Sequence, residues 1–252
     1  MLSAARRTVR RQREAVAFRR ADERFSGALE AALSIQGFTR PIELSLLYHL
    51  ALLGRDPGDV VEIGSYLGRS TVVLARAVAD AGLGRVVAVD PHKGALGWGE
   101  PRETDKEFLT NIAASGVDEH VDLMQATSVE AARQWGGGSV RMLFVDGWHS
   151  YEAVMEDVLA WAPFLTPAPV VVFDDYPDPG VRAAIQRLND DGVVGGAQMI
   201  VGKMIAFAPK PLASAVPLPP GASMLARMGD LGYALSFRWK KDHVPEEMKH
   251  SG

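Results

Sequence analysis

Three aspartates and a histidine stand in two short runs, Phe144-Val145-Asp146-Gly147-Trp148-His149 and Val172-Phe173-Asp174-Asp175-Tyr176, each run emerging from an apolar, β-branched stretch. Carboxylates brought together at neighbouring strand ends repel unless protons or a cation compensate them, so the economical reading is a hard divalent ion on oxygen ligands, Mg2+ first. Asp146, Asp174 and Asp175 are then the metal candidates. The structural alternative is that Asp174 or Asp175 merely caps the helix expected after Pro179. A second run, Glu62-Ile63-Gly64-Ser65-Tyr66-Leu67-Gly68, joins an apolar strand to an apolar helix through two glycines, a tight turn whose backbone a ligand can approach closely. Its spacing is Gly-x-x-x-Gly, not the Gly-x-Gly-x-x-Gly of a dinucleotide site. Glu62 would repel a pyrophosphate but suits the ammonium of a methionine moiety. Asp90, ending the next strand, is placed to accept hydrogen bonds from both ribose hydroxyls of an adenosine group. Together these features point to S-adenosylmethionine (SAM).

The elements that must position these residues follow from the hydrophobic pattern. Short β-branched runs at Val60–Ile63, Val86–Val89, Val121–Met124, Met142–Val145 and Val170–Phe173 alternate with helical patterns, which predicts a parallel sheet with its ligand chemistry at the carboxyl ends of the strands. The runs are apolar almost throughout, as strands covered on both faces are. Gln198–Val201 and Met204–Phe207, joined through Gly202-Lys203, read as a closing hairpin after a helix at Val181–Leu188. The expected fold is therefore α/β: a Rossmann-like, doubly wound, mostly parallel seven-stranded sheet with a terminal antiparallel hairpin and an N-terminal helical cap. The cap (1–54) comprises an arginine-rich stretch, Arg6 to Arg20, and two helices between Phe25 and Leu53 broken near Gly37 and Pro41. The catalytic domain is expected at 55–210. A C-terminal extension at 211–252 follows, with a linker over Pro209–Pro220 and a last helix or strand within Met224–Trp239. Lys93–Lys106, with three glycines and Trp98, is the candidate lid. Tyr151 and Trp161 are expected to pack on the helix after the fourth strand, whereas Trp148 is free to meet substrate.

Bulk properties narrow the function classes. A formal net charge of -4 argues against a phosphate-backbone partner, so nucleic acid is not expected. The absence of cysteine excludes disulfides and thiolate sites and suits a reducing, cytoplasmic setting. No apolar run reaches the roughly 20 residues of a membrane span, and no secretory signal is read at the start. The apolar cap and the extension both need cover, which predicts a homo-oligomer.

Val-Glu-Ile-Gly-Ser-Tyr-Leu-Gly-Arg-Ser-Thr (Val61 to Thr71), Val-Asp-Pro-His (Val89 to His92), Val-Asp-Gly-Trp-His-Ser-Tyr (Val145 to Tyr151) and Asp-Asp-Tyr (Asp174 to Tyr176) together resemble the metal-dependent class I O-methyltransferases. The chain is most similar to the branch that methylates sugars in natural-product biosynthesis, the macrocin and deoxysugar (TDP-rhamnose-type) O-methyltransferases. That resemblance implies a donor site built from Glu62, Gly64, Ser65, Tyr66, Gly68, Ser70 and Asp90, with Ser128 near the adenine. It also implies the metal ligands Asp146, Asp174 and Asp175. Catechol-type relatives carry a basic lysine three residues after the first metal aspartate, where this chain has His149. An imidazole can take a proton near neutral pH once a metal has acidified a hydroxyl, so His149 or Asp146 is the expected base. His149 could instead orient a metal ligand. The expected acceptor is a small diol-bearing molecule, a nucleotide-activated deoxysugar or glycoside. A catechol is the enzymatic alternative, and a non-catalytic SAM-binding protein the alternative of another class.

Overall fold

A computed structural model of the chain describes residues 24–54, 56–94, 102–217 and 223–225. The arginine-rich stretch, the centre of the candidate lid (95–101) and all of the extension beyond Leu225 lie outside these residues. Two helices, α1 (24–33) and α2 (Pro41–Leu53), precede the sheet. Then come β1 (Asp59–Ile63), α3 (Arg69–Ala81), β2 (Val86–Val89), α4 (Asp105–Ala114), β3 (Val121–Met124), α5 (Ser128–Arg133), β4 (Val140–Val145), α6 (Tyr151–Trp161), β5 (Leu165–Phe173) and α7 (Pro179–Asp190). The hairpin β6 (Ala197–Val201) and β7 (Met204–Ala208), a one-turn helix α8 (Lys210–Ala213) and β8 (Ser223–Leu225) are the last of the described elements.

The strand order is β3-β2-β1-β4-β5-β7-β6-β8, with β1 to β5 parallel and the last three strands antiparallel. The expected seven strands are present, and β8 adds a three-residue eighth at the edge. Residues alternate between two cores. Val60, Val86, Met142 and Val172 face Leu44, Leu47, Leu74 and Phe108 of α2, α3 and α4, while Val61, Val87, Leu143 and Phe173 face Ala131, Trp161 and Ile185 of α5, α6 and α7. Two-sided burial explains the unbroken apolar strands, since each large side chain removed from water contributes roughly 1.5–3 kcal/mol. At the amino end of the sheet the buried Arg141 donates to the carbonyls of Gly58 (3.1 Å), Ala51 (2.8 Å) and Leu83 (3.2 Å), tying together the ends of α2 and α3.

The expected linker after Pro209 instead begins as α8, with Pro211 in its first turn and Ala213 and Val216 buried in the α2 side of the core. Proline is tolerated there because first-turn amides have no intrahelical acceptor. Tyr151 is not a core residue. It opens α6 on the solvent side and remains exposed, whereas Trp161 is fully buried.

Candidate active site at the carboxyl edge of the sheet

Ladder bonds continue one residue beyond the strands: Gly64 N–H donates to Val89 O (2.9 Å), Asp90 N–H to Met124 O (3.2 Å), Asp146 N–H to Ile63 O (2.8 Å) and Asp174 N–H to Val145 O (3.0 Å). The register therefore sets Asp90, Gly64, Asp146 and Asp174 in a row along the carboxyl edge, where the strand order reverses between β1 and its neighbours. Gly64 has φ +86°, and a side chain there would collide with the backbone carbonyl of Asp146. Glycine is thus required by close packing as well as by its left-handed backbone.

Glu62 is fully buried on β1 and accepts from Thr71 Oγ1 at 2.5 Å through Oε2, and Ser70 also hydrogen-bonds to it. Its Oε1 is buried without a hydrogen-bond partner. Burial pushes this carboxyl up to about 7, Ser70 and Thr71 draw it down, and Asp90 adds to the rise. An acid held in this way is suited to a cationic group delivered by a ligand. Asp90 accepts from the backbone N–H of Tyr66 (2.8 Å, Oδ2) and of His92 (2.7 Å, Oδ1), so it shapes the loop as well as edging it. Each oxygen keeps acceptor capacity beyond those bonds.

Tyr66 sits at φ +47°, its ring stacked on Phe38 with centroids 6.0 Å apart. Ser65 is buried, with no partner for Oγ, and its carbonyl accepts from Gly68 N–H (2.8 Å). Gly68, at φ +93°, begins α3 without a side-chain cap. Asn111 of α4 secures the turn by donating to Leu67 O (2.9 Å). The hydroxyl of Ser128 is already engaged: it accepts from Trp161 Nε1–H (3.1 Å) and hydrogen-bonds to Asp157, whose carboxyl burial pushes up to about 6.

Across the row, Asp146, His149, Asp174 and Asp175 come together. His149 Nε2 lies 3.1 Å from Asp175 Oδ2, and Asp146, His149 and Asp175 each offer one ligand atom within 4.8 Å of the others'. Burial raises Asp146 well above the usual carboxylate range, and Asp174 beside it pushes in the same direction. Neither Asp174 nor Asp175 caps the following helix. That role falls to Asp178, which accepts from Gly180 N–H (2.7 Å) and Val181 N–H (3.4 Å). Trp148 is exposed at the rim.

One member of the cluster was absent from the expectations. Lys203, in the β6–β7 turn, places Nζ 2.6 Å from Asp174 Oδ2 and 3.3 Å from either oxygen of Asp175. Burial lowers the Lys203 ammonium, but Asp174, Asp146 and Asp175 outweigh it and raise the group overall. The signal was available in the hairpin. Because β7 runs antiparallel to β5, the Gly202-Lys203 turn must return to the end of the sheet where Asp174 and Asp175 stand.

Residues 61–176 match the family model described as a methyltransferase domain. Among solved structures, the O-methyltransferase NovP is 16% identical with TM-score 0.58, over 69% of this chain and 83% of that one. An O-methyltransferase from Bacillus cereus in complex with SAH is 17% identical with TM-score 0.55, covering 74% and 90%. The O-methyltransferase TomG from Streptomyces achromogenes, involved in tomaymycin synthesis and solved with SAM, is 22% identical with TM-score 0.52, also covering 74% and 90%. At these identities the likeness is one of fold.

Proposed function

We propose, from a matched methyltransferase domain and a fold shared with solved O-methyltransferases, that this chain transfers a methyl from SAM to a hydroxyl of a small diol-bearing acceptor held at Asp146, His149 and Asp175. The observation that carries this reading is the packing of Gly64 against the backbone of Asp146, which makes the donor loop and the acid cluster two halves of one edge. Glu62, through its unpartnered Oε1, would take the donor's ammonium, and the uncapped start of α3 would face its carboxylate. Asp90 would hold the ribose. The backbone at Ser65 and Tyr66 would line the methionine arm, and Ser128, with its hydroxyl already engaged, would contribute to the adenine site only through its backbone.

The cluster's donor set fits a divalent cation, since carboxylate oxygens and an imidazole converge there. Asp146 and Asp175 would hold such an ion, Mg2+ or a similar metal, with water completing its shell. When bound it lowers the pKa of a coordinated hydroxyl. His149 takes the hydroxyl proton on the ring nitrogen that does not face Asp175, while Asp175 holds the ring's orientation through Nε2. The methyl is already activated as a sulfonium, so the remaining work is alignment and exclusion of water.

The sequence resemblance favours a sugar over a catechol as acceptor, and Trp148 at the rim offers a face on which either ring could stack. The readings of a cytoplasmic homo-oligomer and of a 55–210 catalytic unit belong to the same proposal. A panel of nucleotide sugars, glycosides and catechols incubated with SAM, read by product mass, tests it. A product 14 Da heavier from a diol acceptor is expected. Calorimetric SAM binding with no oxygen methylated across the panel would instead favour the non-catalytic binding protein.

A further inference from the structure

The Gly202-Lys203 turn is held more firmly than a hairpin tip requires. Lys203 N–H donates to Oε1 of the fully buried Glu43 on α2 (2.8 Å), and Lys203 O accepts from Tyr176 N–H (2.8 Å), so the residue's backbone is gripped from both sides. Arg40 holds Glu43 in turn, through its backbone N–H (2.8 Å) and its Nε (2.9 Å). Gly202, at φ +63°, leaves no room for a side chain beside Glu43 and Arg40. What this arrangement delivers is one ammonium, 20% exposed, in contact with Asp174, whose own side chain is 1% exposed.

Such a grip has a chemical consequence for the acids. Asp174 Oδ2, 2.6 Å from a lysine nitrogen, has no room for a metal ion at roughly 2.0–2.6 Å on the same side, and the buried Asp174 stands outside the group of Asp146, His149 and Asp175 whose ligand atoms converge. Asp175 stands farther from the ammonium, at 3.3 Å, and its ligand atom lies with those of Asp146 and His149 in one group that can face a further cation.

We propose that Lys203 is a built-in cation that takes Asp174 out of the ligand set, so that a divalent ion binds this chain through Asp146 and Asp175 alone among the aspartates. Lys203 thereby acts as a positioning residue, doing at Asp174 the compensating work of a metal. The inference rests on the reading of the cluster as a cation site. Its test reads cation binding directly, without acceptor or turnover, so its failure is distinguishable from a wrong acceptor.

Mn2+ binding to the full chain would be measured by calorimetry for the wild type and a set of side-chain variants, with thermal melts as the control for folding. Asp175→Asn should weaken Mn2+ at least tenfold, whereas Asp174→Asn should change it less than threefold. Lys203→Met should tighten Mn2+ about tenfold or more by freeing Asp174, and Lys203→Met/Asp174→Asn, which removes the pair together, should lose that gain. Lys203→Arg should behave as wild type. Equal weakening by Asp174→Asn and Asp175→Asn would overturn the proposal. So would unchanged Mn2+ affinity in a folded Lys203→Met protein, or the absence of Mn2+ binding from wild type and Lys203→Met alike.

Discussion

Glu62 and His149 illustrate how a residue's type matters less than what surrounds it. With its carboxyl pushed up to about 7, Glu62 must release a proton before it can meet a donor's ammonium. SAM affinity should therefore strengthen as pH rises from 6 to 8. In Glu62→Gln the pH slope should flatten and the Kd at pH 8 rise about tenfold or more, the size expected for losing one hydrogen bond to a charged group. Titration calorimetry at three pH values checks both, and a wild-type Kd independent of pH would separate Glu62 from the cationic end of the donor. For His149→Gln, a drop in kcat of about 10²–10⁴ is expected, with SAM Kd within threefold of wild type, because proton transfer is lost while the donor loop is untouched.

Among the elements, the strands were legible because burial on both faces writes itself as unbroken apolar runs. The row of Asp90, Gly64, Asp146 and Asp174 then followed from parallel register. Lys203 was not legible from its own surroundings in the sequence. Its meaning depends on which strand β7 pairs with, a contact far along the chain, although Gly202-Lys203 itself reads as a turn. The engagement of the Ser128 hydroxyl was hidden for a similar reason, since its partner Trp161 stands 33 residues away. The sharpest element-scale prediction concerns Gly202→Ala. A Cβ there meets Glu43 and Arg40, so about 1–2 kcal/mol of stability should be lost in chemical denaturation, together with the grip that sets the lysine among the acids. Arg141→Met makes the converse case. Three carbonyls lose their donor at the opposite end of the sheet, so stability should fall by about 3 kcal/mol while SAM Kd in the folded protein stays within threefold.

At the scale of the whole molecule, buried acids raised on folding, Glu62 and Asp157 among them, make the ligand-free protein sensitive to base. Glu62 is held near 7 against an ordinary value of 4.5, and Asp157 near 6 against 3.8. For groups raised on folding, the stabilisation is complete below the unfolded value and is lost as pH climbs through the folded one. The melting temperature should accordingly fall between pH 5 and pH 8, with Glu62 responsible for about 3 kcal/mol. Glu62→Gln should remove its share of that decline, and saturating SAM should offset the same share by supplying the missing charge. Scanning calorimetry across this range, with and without SAM, measures it.

The bond from Glu43 to Lys203 spans 160 positions, and it bears on how the chain is made. During synthesis α2 leaves the ribosome long before the β6–β7 hairpin exists, so Glu43 would await its distant partner with a charge destined for the interior. Arg40, three residues earlier, supplies a local partner for the whole of that interval. Nascent chains arrested before residue 203 should thus keep α2 helical around that pair, and the arrival of one turn late in translation completes the cluster at the other end of the molecule's history.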